Sequence, residues 1–389
     1  MRTALGATLG VVAAATVLGA VRPAPGRATL LRGAHVSESP SGGLERIAIH
    51  YAPAFDAVAL PVWQRLLPAL PPRLAVDVVV ASREDFERFA ALLPGWGVAS
   101  PARFRPVVTG GPVTTWARDR LAAIETPAGP RVLAPPRTAA PFAGRQGDAR
   151  APAALAHAMG SEPSVAEFVF EGGDLVSTPR WLFADINLVA RNLGRVAGGR
   201  AVIEAALRAH FSQRLIWLGD EVGELPEHHI MMYMVPLGDA ADTVVVGDLR
   251  AGLALRDAGR GTGVGAAAAA DADAEATGPT LVDDVDTWAA RFDRAAELLR
   301  AQGFKVVRMP VLVLAGGGSY VTYTNALFDR DAAGPVVYLP TYGMPALDQA
   351  AARIYRGLGL RVQPIDVSSI YQLEGSLGCL VAVLARAAR

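Results

Sequence analysis

Ser319–Val367 reads SYVTYTNALFDRDAAGPVVYLPTYGMPALDQAAARIYRGLGLRVQPIDV and contains one complete structural unit. Apolar and β-branched residues make SYVTYTNALFD and GPVVYLPTYG strands, ALDQAAARIYRGLG a helix, and LRVQPIDV a further strand. The unit is ββαβ. Working outward, the same rhythm recurs. Upstream lie RIAIHYA (strand), WQRLLPAL (short helix), AVDVVVAS (strand) and REDFERFAALL (amphipathic helix), followed by hairpins in EFVFEGGDLVSTPRWLFAD and IMMYMVPLGDAADTVVVGD. Helices from Arg200 and from Asp286 to Ala301 follow, with the strands RLIWLG and KVVRMPV. The expected fold class is α/β, built from four or five copies of one ββαβ unit.

The 389 residues, 51% of them hydrophobic and 19% charged, suffice for a sizeable core. With 37 basic and 37 acidic residues, no polycationic surface argues for nucleic acid. The expected partners are small molecules or other proteins, and a homo-oligomer is compatible with the composition. Met1–Ala28 combines Arg2, an uncharged apolar run from Ala4 to Val21 and a small-residue exit, the layout of a secretory signal peptide. Export to the periplasm or the exterior is expected, with an uncleaved membrane anchor as the alternative. Residues 29–43 read as a flexible linker and 44–389 as the catalytic domain. Residues 258–280, rich in Gly, Ala and Asp, read as a surface loop inserted in that domain.

Four stretches carry polar residues that a purely structural reading does not ask for. TTWARDRL supplies Trp116, Arg118 and Asp119, FEGGDLV sets Glu171 and Asp174 around two glycines, PEHHIMMYMVPLG delivers His228 and His229 into an apolar strand, and EGSLGCL holds Cys379, the only cysteine. Taken singly, these stretches have bland readings: a surface ion pair, a turn, a bonded histidine pair and a buried thiol. Their order is the informative feature.

Trp-x-Arg-Asp, Glu-Gly-Gly-Asp, His-Ile and a glycine-rich run ending in Cys near the C-terminus resemble the guanidino-group-modifying enzymes. The nearest look is to the bacterial agmatine and peptidylarginine deiminase branch. The resemblance spans roughly Arg46 to Ala387 and implies the α/β-propeller, or pentein, fold, with about five ββαβ units in pseudo-fivefold symmetry. The chemistry suits the residue types. A guanidinium is planar, cationic and a poor electrophile, so cleaving it needs a thiolate and anionic acceptors at its N–H edges. A histidine must protonate the departing amine and then activate water.

The resemblance implies Cys379 as nucleophile and His229 as general acid/base. It makes Glu171 the residue that orients the guanidinium and assists the histidine, Asp119 a guanidinium ligand and Asp174 a supporting carboxylate. Arg118 and Trp116 belong to the same motif. No metal or organic cofactor is implied. Three departures stand out: Met231 occupies a position usually held by a guanidinium-gripping Asp, Gly378 replaces a frequent His, and Thr322 falls at the Asn of Ser-Tyr-x-Asn with Asn325 displaced. The expected substrate is a small guanidino compound, arginine-like or Nω-substituted, or an arginine side chain. The expected reaction is hydrolysis to a ureido product, with amidinotransfer or non-catalytic guanidinium binding as alternatives.

Overall fold

The computed structural model describes residues 31, 33–37, 42–136, 144–195, 199–237, 242–261 and 279–387. The expected signal segment 1–28 lies outside them. Among the described residues the strands form five sheets of three or four strands.

One motif builds each sheet: an antiparallel pair, a helical crossover, and a third strand laid parallel to the second. Ala122–Thr126 and Gly129–Ala134 pair, helix Gln146–Ala158 crosses, and Ser164–Val165 returns. Val176–Ser177 and Trp181–Asp185 pair, and helix Gly199–His210 leads to Arg214–Leu218. Met234–Leu237 and Thr243–Asp248 pair, and helices Leu249–Gly261 and Val285–Ala301 precede Lys305–Val313. Leu327–Asp331 and Gly334–Thr341 pair, and helix Pro345–Gly357 precedes Arg361–Asp366.

The fifth unit joins the two ends of the domain. Val381–Arg386 pairs antiparallel with Leu44–His50, helix Asp56–Ala69 follows, and Ala75–Val80 lies parallel to Leu44–His50. Parallel strands covered on both faces need continuous apolar runs. Val78, Val79 and Val80 supply one, and all three are buried, while Asp77 before them is buried against Arg46. Ile47, Ile49, Val76 and Val78 share one buried cluster with Trp63, Leu66 and Leu67 of the crossover helix. Ser82 then starts helix Arg83–Leu92 with a capping box, its Oγ accepting from Asp85 N while Asp85 Oδ2 accepts from Ser82 N.

Three sequence readings change. The stretch expected as linker contains a strand, His35–Val36, antiparallel to the segment at Ile124–Glu125, with Val36 N donating to Gln213 Oε1 at 2.7 Å. Ala34 and Val36 are buried, and that packing overrides the Pro/Gly/Ser-rich composition around them. The expected loop at 258–280 begins inside a helix, which runs to Gly261; residues 262–278 lie outside the described ones. Finally, SYVTYTNALFD is two strands. Tyr320–Thr322 pairs with Val311–Val313, and Leu327–Asp331 belongs to the next sheet.

Candidate active site

The break between those two strands leads to the cysteine. Thr322 Oγ1 donates to Met232 O at 2.8 Å and Thr324 Oγ1 to Met231 O at 3.1 Å, so the chain leaves the ladder to bond a turn some ninety residues earlier in sequence. This brings Asn325 against Cys379, with Nδ2 3.0 Å from Sγ and the Asn325 carbonyl accepting from Gly378 N at 3.1 Å. Asn325, read in sequence as displaced from the Asn position of Ser-Tyr-x-Asn, is the residue of this stretch that the structure sets on the thiol. It is buried against the sulfur.

Cys379 lies in the single turn Leu377–Leu380, with its amide bonded to Ser376 O and its carbonyl accepting from Arg118 N at 3.2 Å. The glycines before it are dictated by contact. A Cβ on Gly375 would sit 2.3 Å from the Trp116 ring, and one on Gly378 would sit 2.3 Å from Asn325 Oδ1 and 2.4 Å from Met231 Cε. Trp116 therefore packs on the nucleophile loop. Met231 is buried and turned to the underside of Gly378.

His229 precedes the turn Ile230–Met232, where sequence reading expected a strand. Its Nε2 is 2.9 Å from Glu171 Oε2. Burial opposes charge on the imidazole, but the neighbouring Cys379 thiol and Glu171 carboxylate outweigh it and hold the His229 pKa well above its ordinary value. Burial likewise opposes charge on Glu171, yet His229 and Arg191 hold its carboxyl well below the usual range. Gly172 seats the Glu-Gly-Gly-Asp turn on the Asp119 segment: a Cβ there would lie 2.3 Å from the carbonyl oxygens of Arg118 and Leu121.

Asp119 enters from that segment. Burial and the Glu171 charge raise its pKa, against the opposing pull of His229 and Arg145. Arg145 Nη2 is 2.7 Å from Asp119 Oδ2, and its Nε is 2.7 Å from Asp148 Oδ2. Arg191 bridges Glu171 at 2.9 Å and Asp174 at 2.9 Å. Arg118 donates to Leu175 O at 3.1 Å, a bond that ties the Asp119 segment to the end of the Glu-Gly-Gly-Asp turn. Among the described residues no group of three or more His, Cys, Asp or Glu is placed to hold a metal ion.

A buried thiol, an imidazole held protonated beside it and two carboxylates at the same place form the geometry that the order of motifs anticipated. Comparison with solved structures bears on the fold. The agmatine deiminase of C. jejuni superposes at TM-score 0.62 with 16% identity, covering 92% of this chain and 98% of that one. The agmatine deiminase of Enterococcus faecalis superposes at 0.60 with 12% identity, covering 89% and 94%. The chain has the pentein fold of the agmatine deiminases. No family model matches the sequence, and no curated protein matches it significantly.

On this deiminase fold, the two site residues that sequence reading missed are Arg145 and Arg191. Neither lies in a motif. Each reaches its carboxylates from a helix end, across 26 residues to Asp119 and 20 to Glu171, and no local pattern announces such a pairing.

Proposed function

We propose that this protein is a cysteine-dependent hydrolase of guanidino compounds, with five ββαβ units arranged as an α/β-propeller of pseudo-fivefold symmetry. The observation that carries the reading is the His229–Glu171 contact at 2.9 Å, beside Cys379 and with the imidazole pKa held above its ordinary value by both neighbours. With its proton already on His229, the Cys379 thiolate attacks the guanidinium carbon while Asp119 and Glu171 hold its N–H edges. The C–N bond to the leaving nitrogen breaks as His229 donates its proton, releasing ammonia or an amine and leaving a thiouronium on Cys379. Neutral His229 then takes a proton from water, whose oxygen attacks the same carbon. Cleavage of the C–S bond releases the ureido product and restores the thiolate.

The same layout serves an amidinotransferase if an amine replaces the water. Export, with removal of Met1 to about Ala28, belongs to the same proposal. The experiment is incubation with a panel of guanidino compounds and arginine-containing peptides, with ureido product and ammonia as readouts. Cys379→Ser should abolish turnover while leaving thermal stability and substrate binding close to the parent's. Full activity in that variant removes Cys379 from the mechanism.

A further inference from the structure

Two non-glycine residues among those described have positive φ: His228 at 78° and Glu374 at 64°. Both adjoin the site, one directly before His229 and the other opening the Glu374–Cys379 loop. A left-handed conformation carries a steric cost for a residue with a Cβ, which glycine lacks. Glycine would avoid that cost, so the observation to explain is the side chain. The His228 ring meets His229 edge to face, with centroids 4.4 Å apart. Its Nδ1 is enclosed and has no hydrogen-bond partner. Burial and then the His229 charge push its pKa down to about 3, with Glu171 pulling the other way and Arg191 adding to the fall. The imidazole is therefore uncharged at neutral pH, and an uncharged imidazole presents one ring lone pair.

Met231 meanwhile packs its methyl end against Gly378 and has only a thioether sulfur, a weak acceptor. We infer that His228 is a guanidinium-binding residue, its Nδ1 accepting an N–H on an edge of the substrate that Asp119 and Glu171 do not hold. This rests on the reading that the guanidinium is bound beside Cys379. A neutral acceptor holds an unsubstituted N–H edge without adding negative charge to a site whose carboxylates already carry Arg145 and Arg191. Substitution of that nitrogen removes the hydrogen, so the contact favours guanidines left unsubstituted at the edge facing His228.

The test uses the full chain with Cys379→Ser, so that binding is read without turnover, and n-butylguanidinium as titrant in calorimetry. His228→Gly keeps the backbone conformation and removes the ring. It should weaken binding roughly 10- to 100-fold, the range for a hydrogen bond to a charged group. His228→Asn, which tolerates positive φ and keeps an acceptor, should recover part of the loss. Adding Met231→Asp to His228→Gly should recover it from the other position. Unchanged binding in His228→Gly overturns the inference, as does a loss that neither Asn nor Met231→Asp restores. If the Gly variant does not fold, binding by His228→Asn and His228→Leu is compared, and equal affinities overturn it. If the parent binds no guanidinium and a haloacetamidine does not alkylate wild-type Cys379, the guanidine-binding reading falls too. If the parent binds and wild-type Cys379 is alkylated while the His228 variants are unaffected, only the role of His228 falls.

Discussion

A Cβ on Gly173 would lie 2.4 Å from His229 Cγ and 2.5 Å from its Nδ1, closer than any real contact allows. The second glycine of Glu-Gly-Gly-Asp thus sets how near the imidazole can approach Glu171, as Gly378 sets the seat of Cys379 against Asn325. In sequence these glycines look like turn residues. In the structure they are the clearances through which the reacting groups meet. Gly173→Ala should displace the His229 ring, cutting kcat roughly tenfold or more at an overpacking cost of about 1–3 kcal/mol. Gly95→Ala is the control, because a Cβ there meets nothing within 4 Å. Steady-state kinetics and thermal melts on the pair check this. Equal kcat in both variants would mean that His229 tolerates the added methyl and that the Gly173 contact is not limiting.

At the scale of elements, the six-residue helix Ile186–Arg191 does two jobs. Its last residue is Arg191, on Glu171 and Asp174, and its N-cap is Asp185, which accepts from Asn187 N at 3.0 Å. Asp185 Oδ2 also accepts from Tyr233 OH at 2.7 Å, and Tyr233 directly follows the turn after His229. One buried carboxyl therefore ties the arginine helix to the histidine turn. Burial, reinforced by the Asp174 charge, raises Asp185 to about 7. Between the ordinary Asp value near 4 and pH 7 the native chain then holds a proton that the unfolded chain has lost. Its stabilising share is complete below pH 4 and falls as pH rises through 7, by up to roughly 4 kcal/mol for a shift of this size. Denaturant melts should show stability declining over that window, with Asp185→Asn flattening the slope. A slope unchanged in the variant would assign the pH dependence to another group.

The helix, the arginines and the broken strand mark where the sequence stopped being legible. Gly334–Thr341, Pro345–Gly357 and Arg361–Asp366 follow local pattern, with Pro345 suited to a helix start, and they lie where the residues predict them. Tyr323–Ala326 do not, because the ladder ends at Thr322 and the side chains of Thr322 and Thr324 bond the Met232 and Met231 carbonyls, ninety or more residues earlier. The motifs were readable because their glycines and reactive side chains are contiguous. The contact of Asn325 with Cys379, the arginines Arg145 and Arg191, and the strand His35–Val36 were not, because each is defined by a partner from a distant part of the chain.

Across the whole molecule, the strand after the nucleophile closes the domain. Val381–Arg386 pairs with Leu44–His50, and Ala387 N donates to Gly43 O at 2.8 Å, so the last strand completes the first sheet. Cys379 stands one residue short of it, and the seat of the thiol depends on that closure. Val381, Val383 and Leu384 are buried, each contributing about 1.5–3 kcal/mol, which together approaches the roughly 5–15 kcal/mol of a typical domain. Deleting residues 381–389 should therefore abolish cooperative unfolding, while deleting 388–389 should leave it intact. The N-terminal side divides as sharply. If residues 1–28 are the export signal proposed above, their removal should leave the melting temperature unchanged. Removal of 1–37 takes away His35–Val36, its pairing with Ile124–Glu125 and the bond to Gln213, and should lower stability measurably. A mature protein from its native host that begins between Ala20 and Ala28 would retain that strand. If deletion of 1–37 melts with the parent, His35–Val36 adds nothing to the fold, and the domain begins at Gly42.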